Sequence, residues 1–152
     1  MADLELSVDV AAPAAVTWAA ATDWDQQGGW MLGTRVRATD RAGVGVGGGV
    51  EAFTGVGRVG FLDTMVITAW SPPPADPARC DVRHTGRVVR GTGVFAVTAL
   101  GTDRSRFTWS EHLVLPLGAL GRVGWPLVRP LLRLGVQRSL DRFAAYAARR
   151  AA

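Results

Sequence analysis

Hydrophobic and polar positions alternate cleanly at the start of the chain. Leu4, Leu6, Val8 and Val10 take one face, and Asp3, Glu5, Ser7 and Asp9 the other. A period of two predicts a half-buried strand over 3–10. At the far end the period changes. Trp125, Val128, Leu132, Val136, Ser139, Phe143 and Tyr146 recur at steps of three and four, while Arg129, Arg133, Gln137 and Asp141 fall on the opposite side. This spacing predicts a helix over 117–150. Pro126 and Pro130 are expected to split it into a short leading segment and a long one, kinked near Pro130. From Pro130 to Arg149 the long segment spans about 30 Å. A helix of that length with one apolar stripe needs cover, and nearly everything before it reads as strand.

Between these ends the pattern is a meander. Pro13 opens a helix as a first-turn proline and AAVTWAAAT carries it to about Asp23. DWDQQGGWM follows as a short second helical turn or a loop. Trp18, Trp24 and Trp30 lie here and are expected to pack on the sheet, with a pocket lid as the alternative role of Trp24 or Trp30. Strands are predicted at 34–40, 50–54, 61–70, 79–90, 92–100 and 104–115. The glycine stretch Gly43–Gly49 contains a formal G-x-G-x-x-G, but a strand follows it where a dinucleotide site needs a helix. It reads as a hairpin connection. Ser71–Pro77 is a proline loop that no strand could hold. The whole is one domain, residues 1–152, of α+β class: a curved seven-stranded antiparallel sheet around a long C-terminal helix, with one or two short helices after the first strand.

Composition narrows the classes. With 48% hydrophobic and 20% charged residues the chain is globular. Its single cysteine, Cys80, permits no internal disulfide and no cysteine-built metal site. A reducing, cytoplasmic location fits, and the acidic, alternating start lacks the form of a signal peptide. No stretch of about 18 uninterrupted apolar residues exists, so stable membrane insertion is not expected. The net charge is +4 and all 17 basic residues are arginine. They are spread from Arg35 to Arg150 and not interleaved with exposed aromatics, so no nucleic-acid partner is expected. A GC-rich genome accounts for the bias. A homodimer stays open.

Register turns the strands into candidate chemistry. Glu111 shares a face with Phe107, Trp109, Leu113 and Leu115; His84 with Cys80, Val82, Gly86 and Val88; Asp63 with Phe61, Met65, Ile67 and Ala69. Three ionisable groups thus face the space that the helix covers. Buried charges are paired, shifted in pKa or bathed in cavity water. A structural reading is equally available, with Glu111 and His84 as a satisfied couple and Asp63 capping a turn. His112, on the outer face, reads as surface. Met65, Ile67, Phe95, Val97, Trp109, Leu132, Val136 and Trp30 are the expected cavity lining. There is no nucleophile elbow, no H-E-x-x-H and no P-loop, and neither a metal nor a cofactor is expected.

Taken in order, VDVAAPAAVTWAAATDW, FLDTMVITAWSPP, VRHTGRVVRGTGVFAV, FTWSEHLVLPLG and GWPLVRPLLRLGVQRSLDRFAAYA carry a resemblance that covers almost the whole chain. The sequence resembles the START-like (SRPBCC) superfamily and, within it, the polyketide cyclase/dehydrase-like branch. That resemblance implies a helix-grip fold with a deep hydrophobic cavity between sheet and helix. It also implies a lipid, isoprenoid, hormone or polyketide-like ligand, with cyclisation or dehydration in some members. It supplies no universal catalytic residue. Three functions therefore stand: binding of a hydrophobic small molecule; a polyketide cyclase/dehydrase-type enzyme with His84 or Glu111 as general base and Asp63 steering; and an interaction module reading a partner through an arginine-rich sheet face that includes Arg83 and Arg87.

Overall fold

A computed structural model describes residues 2–114 and 118–152. Seven strands form one antiparallel sheet: β1 (Ala2–Val10), β2 (Thr34–Ala38), β3 (Gly49–Val56), β4 (Val59–Ser71), β5 (Ala78–His84), β6 (Gly91–Ala99) and β7 (Ser105–Leu113). Their order across the sheet is β1-β7-β6-β5-β4-β3-β2. Helix α1 (Ala14–Ala21) and a 3₁₀ turn, Trp24–Gly29, fill the β1–β2 connection, and α2 (Ala119–Ala151) closes the chain. This is the helix-grip arrangement expected. Each strand but the first-to-last closure follows its neighbour in sequence, so hairpin turns build β2 to β7 and only β1 returns to lie beside β7.

The core follows the period-two pattern. Leu4, Leu6 and Val10 of β1 are buried, as are Cys80 of β5, Val97 of β6 and Phe107 of β7. Ser139, Leu140, Phe143 and Ala147 of α2 press onto this surface, and α2 packs against β1 and α1. Trp18 meets Trp70 edge-on with ring centroids 5.0 Å apart.

Several expectations change. Pro13 stands one position before α1, with φ −56 and ψ 151, and its carbonyl accepts the Thr17 N–H. Its fixed φ suits that boundary as well as the first turn. β4 carries a register shift between Ile67 and Ala69, so Trp70, not Ala69, pairs with Cys80 and faces inward. An extra residue in one strand reverses the facing of all that follow. β5 ends at His84, six residues short of the expected Arg90, and leaves Val88 exposed. The helix is continuous through Pro126 and Pro130. Both prolines are exposed, where water can satisfy the carbonyls they leave without a helical donor. Leu115 and Leu117 lie outside the described residues.

Candidate functional site

Between the sheet and α2 lies a cavity of about 400 Å³. Its lining is mostly aliphatic and aromatic: Leu4, Val36, Val50, Ala52, Met65, Val82, Phe95 and Trp109 from the sheet, and Leu132, Gly135 and Val136 from α2. Asp63, His84 and Glu111 also line it. The alternation that placed these three inward holds in β4, β5 and β7.

His84 joins the other two. Its Nδ1–H donates to Asp63 Oδ2 at 2.7 Å, and its Nε2–H to Glu111 Oε2 at 3.0 Å. Trp109 Nε1–H donates to Glu111 Oε1 at 2.7 Å. The last bond follows from strand geometry, since residues two apart share a face. The bond from His84 to Glu111 is less obvious, because β6 runs between their strands. There His84 is paired with Gly91 and Glu111 with Gly93. Neither glycine raises a side chain between them. A Cβ added at Gly93 would come within 3.0 Å of Glu111 Oε2. The glycine at 93 was the available sequence signal for this bridge.

The electrostatics set the protonation of His84. Burial alone would lower its pKa, but the hydrogen bonds to Asp63 and Glu111 and the charge on both carboxylates outweigh it and raise it to about 9. At neutral pH the ring is an imidazolium donating from both nitrogens, with no free lone pair. The expected role of His84 as a base does not fit that state. It can give a proton or a hydrogen bond, and the carboxylates are left to accept. Asp63 Oδ1 is buried without a hydrogen-bond partner among the described residues.

The expected lining divides. Met65, Phe95, Trp109, Leu132 and Val136 are in the cavity wall. Ile67, Val97 and Trp30 are not; each is 1% exposed and belongs to the solid core. The C-terminal half of α2 closes onto the sheet there: Phe143 packs against Phe107 with centroids 4.5 Å apart and against Trp30 at 4.8 Å. Trp24, the other lid candidate, does line the cavity, but its indole donates to the Gly43 carbonyl at 2.8 Å and is held in place. Ser139, from the inward stripe of α2, also lines it, as do Gln27 and Met31, which sequence reasoning missed. Gln27 is tied by its amide to the Ala21 carbonyl and Met31 follows the same irregular segment, which no periodicity reveals, while Ser139 accepts the Leu32 N–H. Cys80 is buried at the wall, and burial followed by the charge of Asp81 pushes its thiol up to about 12. It is a packing residue, not a nucleophile. Among the described residues no group of three or more His, Cys, Asp or Glu is placed to hold a metal ion.

A family model for polyketide cyclase / dehydrase and lipid transport proteins matches residues 1–148. The chain belongs to that family. Solved structures agree on the fold. The Zhui aromatase/cyclase from Streptomyces sp. R1128 is 17% identical with a TM-score of 0.78, covering 98% of this chain and 94% of that one. A protein from Thermus thermophilus is 12% identical with a TM-score of 0.81, covering 99% and 100%. Norcoclaurine synthase from Thalictrum flavum is 16% identical with a TM-score of 0.65, covering 96% and 93%. No curated protein matches the sequence. Membership in the polyketide cyclase / dehydrase and lipid transport family supports a ligand-binding or cyclase role for the cavity and does not choose between them. No described helix is long and apolar enough to cross a membrane.

Proposed function

We propose that the protein binds a hydrophobic small molecule of lipid, isoprenoid or polyketide-like class in the cavity between sheet and α2. The observation that carries this is the combination of an apolar cavity of about 400 Å³ with one cluster of buried ionisable groups in its wall. Such a cavity takes the apolar body of a ligand, and a few converging polar groups orient its polar end. The Asp63–His84–Glu111 cluster offers an oxygen-bearing group both a donor and acceptors. Ala52 lines the cavity on β3, so Ala52→Phe fills it. Native mass spectrometry of gently purified protein is expected to reveal a copurifying apolar ligand. An environment-sensitive apolar dye should bind the parent and lose at least about tenfold in affinity in Ala52→Phe. A parent that carries no ligand and binds no dye would sink the proposal.

The same cluster supports a second reading, an enzyme for an enolisable substrate. A buried imidazolium held between two carboxylates is suited to moving a proton at a ketone oxygen while Glu111 accepts one from carbon. On that reading Glu111→Gln abolishes conversion of a poly-β-keto probe while leaving its binding nearly intact. Equal turnover in Glu111→Gln and the parent would reject it.

A further inference from the structure

We propose that the end of the molecule around the cavity mouth docks on an anionic lipid membrane surface. Three segments meet at that end by topology. In an antiparallel meander alternate turns lie at the same edge, so the β3–β4 turn, the β5–β6 connection and the C-terminal end of β7, the strand that α2 follows, fall together. All three regions contribute to one cavity wall: Thr54 and Phe61 beside the first turn, Val89 in the connection, and Leu131 on α2. Leu131 is also 72% exposed, which marks where the cavity opens.

Each segment presents apolar side chains to solvent. Leu120, Val123, Leu127, Leu131 and Leu134 recur at steps of three and four along α2, and Leu127 is 77% exposed. Val56 and Val59 flank the β3–β4 turn at 86% and 81%, and Val88 is exposed in the β5–β6 connection. Scattered exposed valines are ordinary, whereas a continuous apolar stripe on one helix marks an interaction surface.

Charge decides the partner. Arg58 sits in the first turn, Arg87 and Arg90 in the connection, and Arg122, Arg129 and Arg133 on α2. None of the six is in an ion pair among the described residues. No Asp or Glu occurs in 54–62, 85–91 or 113–140. The arginines that do pair, such as Arg79, Arg104, Arg106 and Arg150, use Asp81, Asp9 and Asp23. The exposed carboxylates of β1, Asp3 and Glu5, are on the outer sheet face, bonded to His112 and Ser110. Apolar side chains bordered by arginines without carboxylates fit the boundary between acyl chains and anionic headgroups. The proposal does not depend on which molecule the cavity holds.

The test is co-sedimentation with vesicles of phosphatidylcholine alone and with about 30 mol % phosphatidylglycerol, at low and high salt. The parent is expected to bind the anionic vesicles and to be released by salt. Val123→Asp with Leu127→Asp should lower vesicle binding at least about tenfold, and Arg129→Glu with Arg133→Glu should do the same. These positions lie outside the buried core, so circular dichroism and dye binding in the cavity should match the parent in every variant. Absence of binding to anionic vesicles at low salt overturns the proposal, as does equal binding by parent and variants. So does binding that ignores lipid charge. A dimer in sedimentation velocity that the leucine variant dissolves, without vesicle binding, would assign the stripe to a second copy and also overturn it. Retained dye binding in any of these cases leaves the cavity reading standing.

Discussion

At the scale of single residues, the proton on His84 couples the site to stability. An unfolded histidine has a pKa near 6.5, and the folded one is raised to about 9. Between those values the folded state keeps a proton that the unfolded state has lost. The stabilisation is therefore complete below about pH 6.5 and drains away as pH rises through about 9. Melting temperature measured between about pH 6 and pH 10 should fall across this window, and Glu111→Gln, which removes one of the two anionic partners, should flatten the fall. A parent whose melting temperature stays level there would contradict the imidazolium assignment. The Cys80 thiol has the same sign: its raised pKa keeps it protonated in the fold while the unfolded thiol ionises above its ordinary value of 9.0, so it adds to the fall only at the alkaline end. Alternation in the sequence was enough to aim Asp63, His84 and Glu111 inward. It could not show that one imidazole bridges both carboxylates, because that depends on Gly93 leaving room in the strand between them.

At the scale of elements, α2 is where sequence rules and structure part. Pro130 lacks the N–H that the Pro126 carbonyl would accept, and Pro126 lacks the one for Arg122. A proline inside a helix costs about 3 kcal/mol, so a break was the expectation. The helix runs on because both prolines lie on an exposed stretch, where lost hydrogen bonds pass to water. Restoring the donor in Pro130→Ala should slow amide hydrogen exchange over 127–134 and leave exchange near Phe143 unchanged. Equal exchange in parent and variant would show that the prolines do not loosen this half. The bulge in β4 was invisible for a related reason. Whether Thr68 is an extra residue depends on how β5 pairs beside it, and a single strand's alternation carries no record of its partner. β5 is shorter than expected for the same reason: the alternation runs on as far as Val88, but the sequence cannot say where its neighbours stop pairing.

At the scale of the whole molecule, the sheet is filled differently at its two ends. Toward the C-terminus of α2, Phe143, Leu140 and Ala147 are 0% exposed and lie against a dense layer of Phe107, Trp30 and Val97. Toward its N-terminus the same helix stands over the cavity, with Leu132 and Val136 only half-buried. One helix thus serves as core in one half and as cavity wall in the other. This division explains why the seven-residue stripe from Trp125 to Tyr146, uniform in sequence, is not uniform in burial. Apolar spacing reports which side of a helix faces inward, not whether matter or a ligand space lies beneath. The two halves should respond oppositely to the same kind of truncation. Phe143→Ala removes a ring from close packing and should cost about 3–5 kcal/mol in denaturant unfolding. Leu132→Ala enlarges a space that is already open, so it should cost under about 1.5 kcal/mol while changing dye affinity several-fold. If Leu132→Ala proved as destabilising as Phe143→Ala, the cavity would have to be closed in solution, and the N-terminal half of α2 would be core like the rest.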